Sequence, residues 1–175
     1  MFSKILVALD RSTMGKQVFE AAIGLAKNMN ARVMLLHVLS PEEEGCPDIS
    51  MMNGEFYPGL SGEILEMHRQ QWQKFENEGS AILQAFAQQA TNIGVQTEFQ
   101  QIFGTPSRVI CKTTQTWGAD LIILGRRGHS GVKELFLGSV SNYVLHHAPC
   151  SVLTIQSANQ ANTQLMQTQQ AEVSS

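Results

Sequence analysis

Short apolar runs and amphipathic stretches alternate along the chain from Lys4 to Ile155. Lys4–Leu9 (KILVAL), Arg32–Val38 (RVMLLHV), Leu121–Leu124 and Cys150–Ile155 (CSVLTI) are nearly continuous in apolar side chains, which predicts strands covered on both faces. Val95–Ile102 alternates instead and predicts a strand at a sheet edge. Between the runs, Gln17–Met29 places Val18, Ala21, Ala22, Leu25 and Met29 at helical spacing. Glu63–Ala90 predicts a long helix with Leu65, Trp72, Phe75, Ile82, Leu83 and Phe86 along one stripe. Thr105-Pro106 reads as an N-cap followed by proline at the first helical position, opening a helix to about Trp117. A last helix runs from Ser139 to His146, and Ser40–Gly62 is a polar connection of more than ordinary length.

Strand–helix alternation with apolar strands predicts an α/β fold: an open parallel sheet with helices on both faces. Right-handed crossovers limit its topologies. If strands one to three build outward one way and strands four and five the other, strand one lies beside strand four. Ligands bind at such a switch point, outside the carboxyl ends of the strands. Asp10 follows strand one and Gly125 follows strand four, so both would face that crevice.

A chain of 175 residues suits one domain, and 43% hydrophobic residues is ordinary for a globular protein. A net charge of −3 gives no global attraction to nucleic acid or an anionic membrane, so phosphate attraction has to be local. Membrane-spanning and signal-peptide segments are absent from the pattern, and a cytoplasmic location is expected. Cys46, Cys111 and Cys150 have neither metal nor disulfide spacing and are expected to be reduced thiols. After Gln156, residues 157–175 form a Gln-rich tail with few core anchors, expected to be disordered beyond a domain spanning 1–156.

The most informative segment joins strand four to the last helix. Gly125, Gly128 and Gly138-Ser139 are the parts of a phosphate cradle, since glycines permit close backbone approach and a helix N-terminus offers unpaired N–H groups. Arg126, Arg127 and Lys133 add positive charge there, Ser141 lies in the same first turn, and His129 is a further loop-borne candidate. Val132, Leu135, Phe136 and Leu137 suit a hydrophobic clamp beneath the loop. Asp10 is either a ribose or divalent-cation ligand or a turn and cap residue. His37, at the end of strand two, suits a packed, hydrogen-bonded role, and His146 and His147 suit the negative end of a helix dipole. The chain lacks a P-loop, a G-x-G-x-x-G after strand one and a G-x-S-x-G elbow. Binding is therefore better supported than catalysis.

The spacing Gly125-x2-Gly128-x9-Gly138-Ser139 resembles the G-x2-G-x9-G-[ST] signature of ATP-binding universal stress proteins. The similarity extends over KILVALD, LLHV, ADLIILG and APCSVLTI, from about Phe2 to Gln156. It implies a Rossmann-like, adenine nucleotide alpha hydrolase-like sheet of five strands in the order 3-2-1-4-5. It further implies that Asp10 contacts ribose or metal, that Val38 presents its backbone to adenine and that Gly125 borders the ribose. Gly128, Gly138 and Ser139 would hold phosphates, with Val140 and Ser141 as nearby donors and Arg126 beside them. Ala8 stands where the ATP-binding archetype has a proline, which bears on base packing. The implied ligand is ATP, AMP or ADP, with Mg or Mn held through the phosphates. The implied assembly is a homodimer through strand 151–155.

Three readings follow: a nucleotide-regulated stress or signalling module with a protein partner of unknown identity, a slow ATPase or AMP-forming enzyme, and a structural interaction domain without nucleotide. Related PP-loop pyrophosphatases carry S-G-G-x-D-S after strand one, whereas this chain has Asp10-Arg11-Ser12-Thr13-Met14-Gly15, which disfavours the adenylating option.

Overall fold

The computed structural model describes residues 1–48, 62–126 and 138–156. Its elements are β1 (Lys4–Leu9), α1 (Thr13–Met29), β2 (Arg32–Leu39), α2 (Gly62–Asn92), β3 (Thr97–Phe103), α3 (Pro106–Trp117), β4 (Leu121–Gly125), α4 (Ser139–His147) and β5 (Ser151–Ile155). They form one five-stranded sheet in the order β3-β2-β1-β4-β5, and every pairing is parallel. The inferred switch point is present, because β1 pairs with β2 on one side and β4 on the other.

Alternate strand residues feed two cores. Ile5, Val7, Val33, Leu35 and Ile123 meet Val18, Ala22 and Ala26 of α1 and Leu83 and Ala87 of α2. Leu6, Met34, Leu36, Ile122 and Leu124 meet Ile110 of α3 and Val144 of α4. Strands covered on both faces have no polar alternation to show, which explains their continuous apolar runs. The edges differ: β3 is mostly exposed, and Leu153 of β5 keeps 40% of its surface. Among the described residues each edge strand has a neighbour on one side only, so the apolar CSVLTI run is less buried than its composition suggests.

Element ends depart from the periodicity for local reasons. Helix α1 begins at Thr13 rather than Gln17, because Ser12 caps it by accepting the Gly15 N–H at 3.4 Å. It stops at Asn30, which adopts a left-handed conformation at φ 52. Strand β2 extends one residue further than expected, to Leu39, which pairs with Phe103. Thr105 does occupy the N-cap of α3, ahead of Pro106, yet its side chain makes no capping hydrogen bond. In α2 the buried stripe is His68, Phe75, Gly79, Leu83, Ala87 and Ala90. Leu65, expected on that stripe, is 40% exposed. Helix α2 meets the sheet through β2 and β3, with most of its buried positions lying from Phe75 onward.

The amino ends of β1 and β4 are tied by one carboxylate. Asp120 accepts hydrogen bonds from the Ser3 N–H at 2.8 Å, the Ser3 hydroxyl at 2.7 Å and the Lys4 N–H at 3.0 Å. Desolvation pushes the Asp120 carboxyl up, but the hydrogen bonds from Ser3 and Lys4 outweigh it and hold the group below its ordinary value. A depressed carboxyl contributes stability that is complete above the unfolded-state pKa, about 3.9, and drains away as pH falls through the folded value. Asp120→Asn is therefore expected to flatten the acid limb of the stability profile below about pH 4. Urea denaturation across that range checks it. In the core, Leu35→Ala is expected to cost about 2–5 kcal/mol by the same measurement, as a fully buried leucine replaced by a cavity.

Candidate functional site

All five strands point the same way, so their carboxyl ends share one edge of the sheet. A cavity of about 260 Å³ opens at that edge. Its floor is the strand ends Ala8, Leu9, Leu36, Val38, Leu124 and Gly125. Asp10, Met14 and Gly15 line it from the start of α1, Pro106 and Ile110 from α3, and Gly138 through Ser141 from α4. Ser40, Glu42 and Glu43, just beyond β2, close another part of the wall.

The α4 end of the cavity is suited to an anion. Gly138 is the N-cap of α4 and carries no capping side chain. A helix leaves its first amides without intrahelical partners and concentrates positive potential there. The cap backbone sits at φ −55, which any residue can adopt, so no special conformation requires this glycine. Ser139 is the first helical residue and not the cap. The Ser141 hydroxyl donates to the Gly138 carbonyl at 3.2 Å.

Asp10 fills the turn role that the sequence left open to it. Its Oδ1 accepts the Ser12 N–H at 3.1 Å and the Ser12 hydroxyl, holding the turn into α1. It also lines the cavity. Gly15 keeps that turn tight, since a Cβ there would collide with the Asp10 carbonyl oxygen. Gly125 has a packing reason independent of any ligand: a Cβ would lie 2.7 Å from Cγ of Met14 and 3.1 Å from Cγ2 of Val18.

Ala8, Asp10, Val38, Gly125, Gly138, Ser139, Val140 and Ser141 thus meet around one cavity. Arg126 is not in its wall; the backbone N–H of Arg126 donates to the Ile155 carbonyl at 2.9 Å, continuing the β4–β5 ladder. Gly128, Arg127, His129, Lys133 and the apolar Val132, Leu135, Phe136 and Leu137 lie outside the described residues. His37 is buried and hydrogen-bonded, and His147 closes α4 with Nδ1 2.8 Å from the Tyr143 carbonyl. Among the described residues no group of three or more His, Cys, Asp or Glu side chains could hold a metal ion. Cys46, Cys111 and Cys150 are free thiols, each pushed up in pKa first by burial.

Sequence reasoning missed Ser40, Glu42, Glu43, Pro106 and Ile110. Pro106 and Ile110 carried only helix-start and core signals, and their place in the wall follows from packing α3 beside the strand ends. Ser40–Glu43 sits in a connection without periodicity, so only its position just after β2 hinted at the site.

The strand order and the crevice at its switch point define an open, doubly wound parallel α/β fold. Within that class the chain belongs to the universal stress protein family, whose family model matches residues 1–156. It is 39% identical over 155 residues to the universal stress protein Sll1388 of Synechocystis, covering 89% of this chain and 98% of that one. A universal stress protein family member from Arabidopsis thaliana, solved with AMP bound, is similar at a TM-score of 0.56 and 25% identity, over 90% of this chain and 94% of that one. A universal stress protein solved in complex with cAMP shares the fold at a TM-score of 0.59 and 19% identity, over 88% of this chain and 96% of that one.

No helix among the described residues is long and apolar enough to cross a membrane. The tight packing around Gly125 makes it sensitive: Gly125→Val is expected to lower stability by about 1–3 kcal/mol through overpacking against Met14 and Val18. Denaturant midpoints of the two proteins check this.

Proposed function

We propose that this protein binds an adenine nucleotide, ATP or its AMP or ADP relatives, and acts as a stress-response or signalling module whose affinity for a protein partner depends on that ligand. The observation that carries the reading is the uncapped first turn of α4 lining the same cavity as Asp10 and the end of β2. Phosphate would meet the amides of Ser139, Val140 and Ser141, with Gly128 contributing from the connecting segment. Asp10 would meet the ribose, and the base would lie among Ala8, Leu36, Val38 and Ile110. The donor set suits an anionic tail and the apolar floor suits a planar base. A divalent cation, Mg or Mn, would be held chiefly by phosphate oxygens with Asp10 beside them. The AMP complex of the Arabidopsis relative supports the ligand class.

Calorimetry with AMP and ATP tests the assignment. Gly138→Val is expected to abolish binding by blocking the helix N-terminus, whereas Ser139→Ala should cost about 0.5–3 kcal/mol, the worth of one hydrogen bond to a neutral or charged partner. Unchanged ATP affinity in Gly138→Val would sink the reading. Turnover is expected to fall far below the ~10 s⁻¹ enzyme median, since phosphoryl transfer needs a positioned base or water-orienting group besides phosphate donors.

The reading includes a two-fold dimer through β5. Among the described residues its outer edge has no neighbour in the sheet, and Leu153 is 40% exposed on a strand without charge or proline. Light scattering at micromolar concentration should give a dimer that Leu153→Pro dissociates. A monomeric wild type, or a dimer indifferent to that change, counts against the interface.

A further inference from the structure

Beneath the cavity wall lies a buried pair that the nucleotide reading does not use. His37 Nε2 is 2.9 Å from Glu43 Oε1, and the two side chains keep 4% and 7% of their surface. The other imidazole nitrogen, Nδ1, lies 3.3 Å from Gln101 Oε1. Gln101 is itself oriented, because its Nε2 donates to the Glu76 carbonyl of α2 at 2.9 Å. Its oxygen is therefore the atom presented to His37, and Nδ1 must carry the hydrogen. Nε2 and Glu43 Oε1 then share the remaining contact, one proton lying between them. Gly79 of α2 leaves the space for this arrangement: a Cβ there would come within 2.8 Å of both His37 Nδ1 and Gln101 Oε1.

Glu43 is also the pivot of the turn that follows β2. Its N–H donates to the Ser40 carbonyl at 3.0 Å, its carbonyl accepts from the Cys46 N–H at 3.1 Å, and the Glu42 N–H donates to the Ser40 hydroxyl at 3.2 Å. Strand pairing ends at Leu39, so this part of the wall lies beyond the sheet ladder. Among the described residues Oε2 of Glu43 is buried without a hydrogen-bond partner, a costly placement that a merely decorative glutamate would avoid by turning to solvent.

We propose that His37 is a positioning residue for ligand binding: through Glu43 it holds the Ser40–Glu43 turn as one wall of the crevice. This rests on the nucleotide reading. A wall held in place before the ligand arrives spares the ordering cost that a loose one imposes on binding. Since the same imidazole is lodged against Gly79 and Gln101, the wall is anchored to α2 and β3 rather than to its own strand alone.

AMP calorimetry on His37→Ala, Glu43→Ala, the double variant and His37→Gln tests this, with thermal melts confirming that each is folded. Each alanine change is expected to weaken AMP about tenfold or more, in line with losing a hydrogen bond to a charged group. The double variant should lose no more than the weaker-binding single one, because both changes remove one interaction. His37→Gln, which keeps an N–H for Glu43, should recover most of the affinity. Hydrogen exchange should quicken at the amides of Glu42, Glu43 and Cys46 in both alanine variants. If His37→Ala does not fold, Glu43→Ala and His37→Gln still decide. AMP binding by Glu43→Ala within about twofold of wild type, or losses that multiply in the double variant, would overturn the positioning role while leaving the nucleotide reading intact. A wild type that binds no AMP would overturn both.

Discussion

Parallel pairing of β1 with both β2 and β4 is the constraint on which the rest of this structure depends. It places β1 at the centre of the sheet, where Ile5, Leu6 and Val7 are fully buried. Each such side chain contributes roughly 1.5–3 kcal/mol relative to exposure. The same strand order sends the first two connections to one side of the sheet and the last two to the other, which separates α1 and α2 from α3 and α4. Where the direction of winding reverses, the strand ends have helices to either side and an opening between them. The cavity is the consequence of that reversal, not an addition to it.

Two kinds of polar group border the opening. At α4, a glycine cap leaves backbone donors without a side-chain partner. Beyond β2, carboxylates of Glu42 and Glu43 stand in the wall. Backbone amides attract an anion and carboxylates repel one, so the crevice has a direction built into it. In the proposed reading that direction would set phosphates toward α4 and leave the apolar strand ends for a base. Asp10 stands between, its carboxylate already organised by Ser12.

The glycines show how little a residue type reveals about its own cause. Gly125 is required by Met14 and Val18, Gly15 by the Asp10 carbonyl and Gly79 by His37 and Gln101. Gly138, the N-cap of α4, sits at a backbone conformation that any residue can adopt. Within the glycine signature, Gly125 therefore has a packing constraint of its own. Arg126 makes the same point from the opposite side: it lies within the signature, yet its backbone continues the sheet and its place is outside the cavity wall.

Periodicity determined what depends on neighbours along the chain. The apolar runs of β1, β2 and β4, the proline-led start of α3 and the strand–helix alternation all follow from local spacing, and with them the fold class. The placement of Asp10 and Gly125 at strand ends was legible too, because a strand's carboxyl end is a local property. What tertiary structure decided was contact between segments far apart in sequence. Leu65 has the spacing of a buried residue yet keeps 40% of its surface. Pro106 and Ile110 join the site because α3 packs beside the strand ends. His37 meets Glu43, Gln101 and Gly79 only when β2, β3 and α2 are assembled, and no spacing along the chain encodes that meeting. A side chain's period says which face it occupies; only the packed fold says what stands opposite.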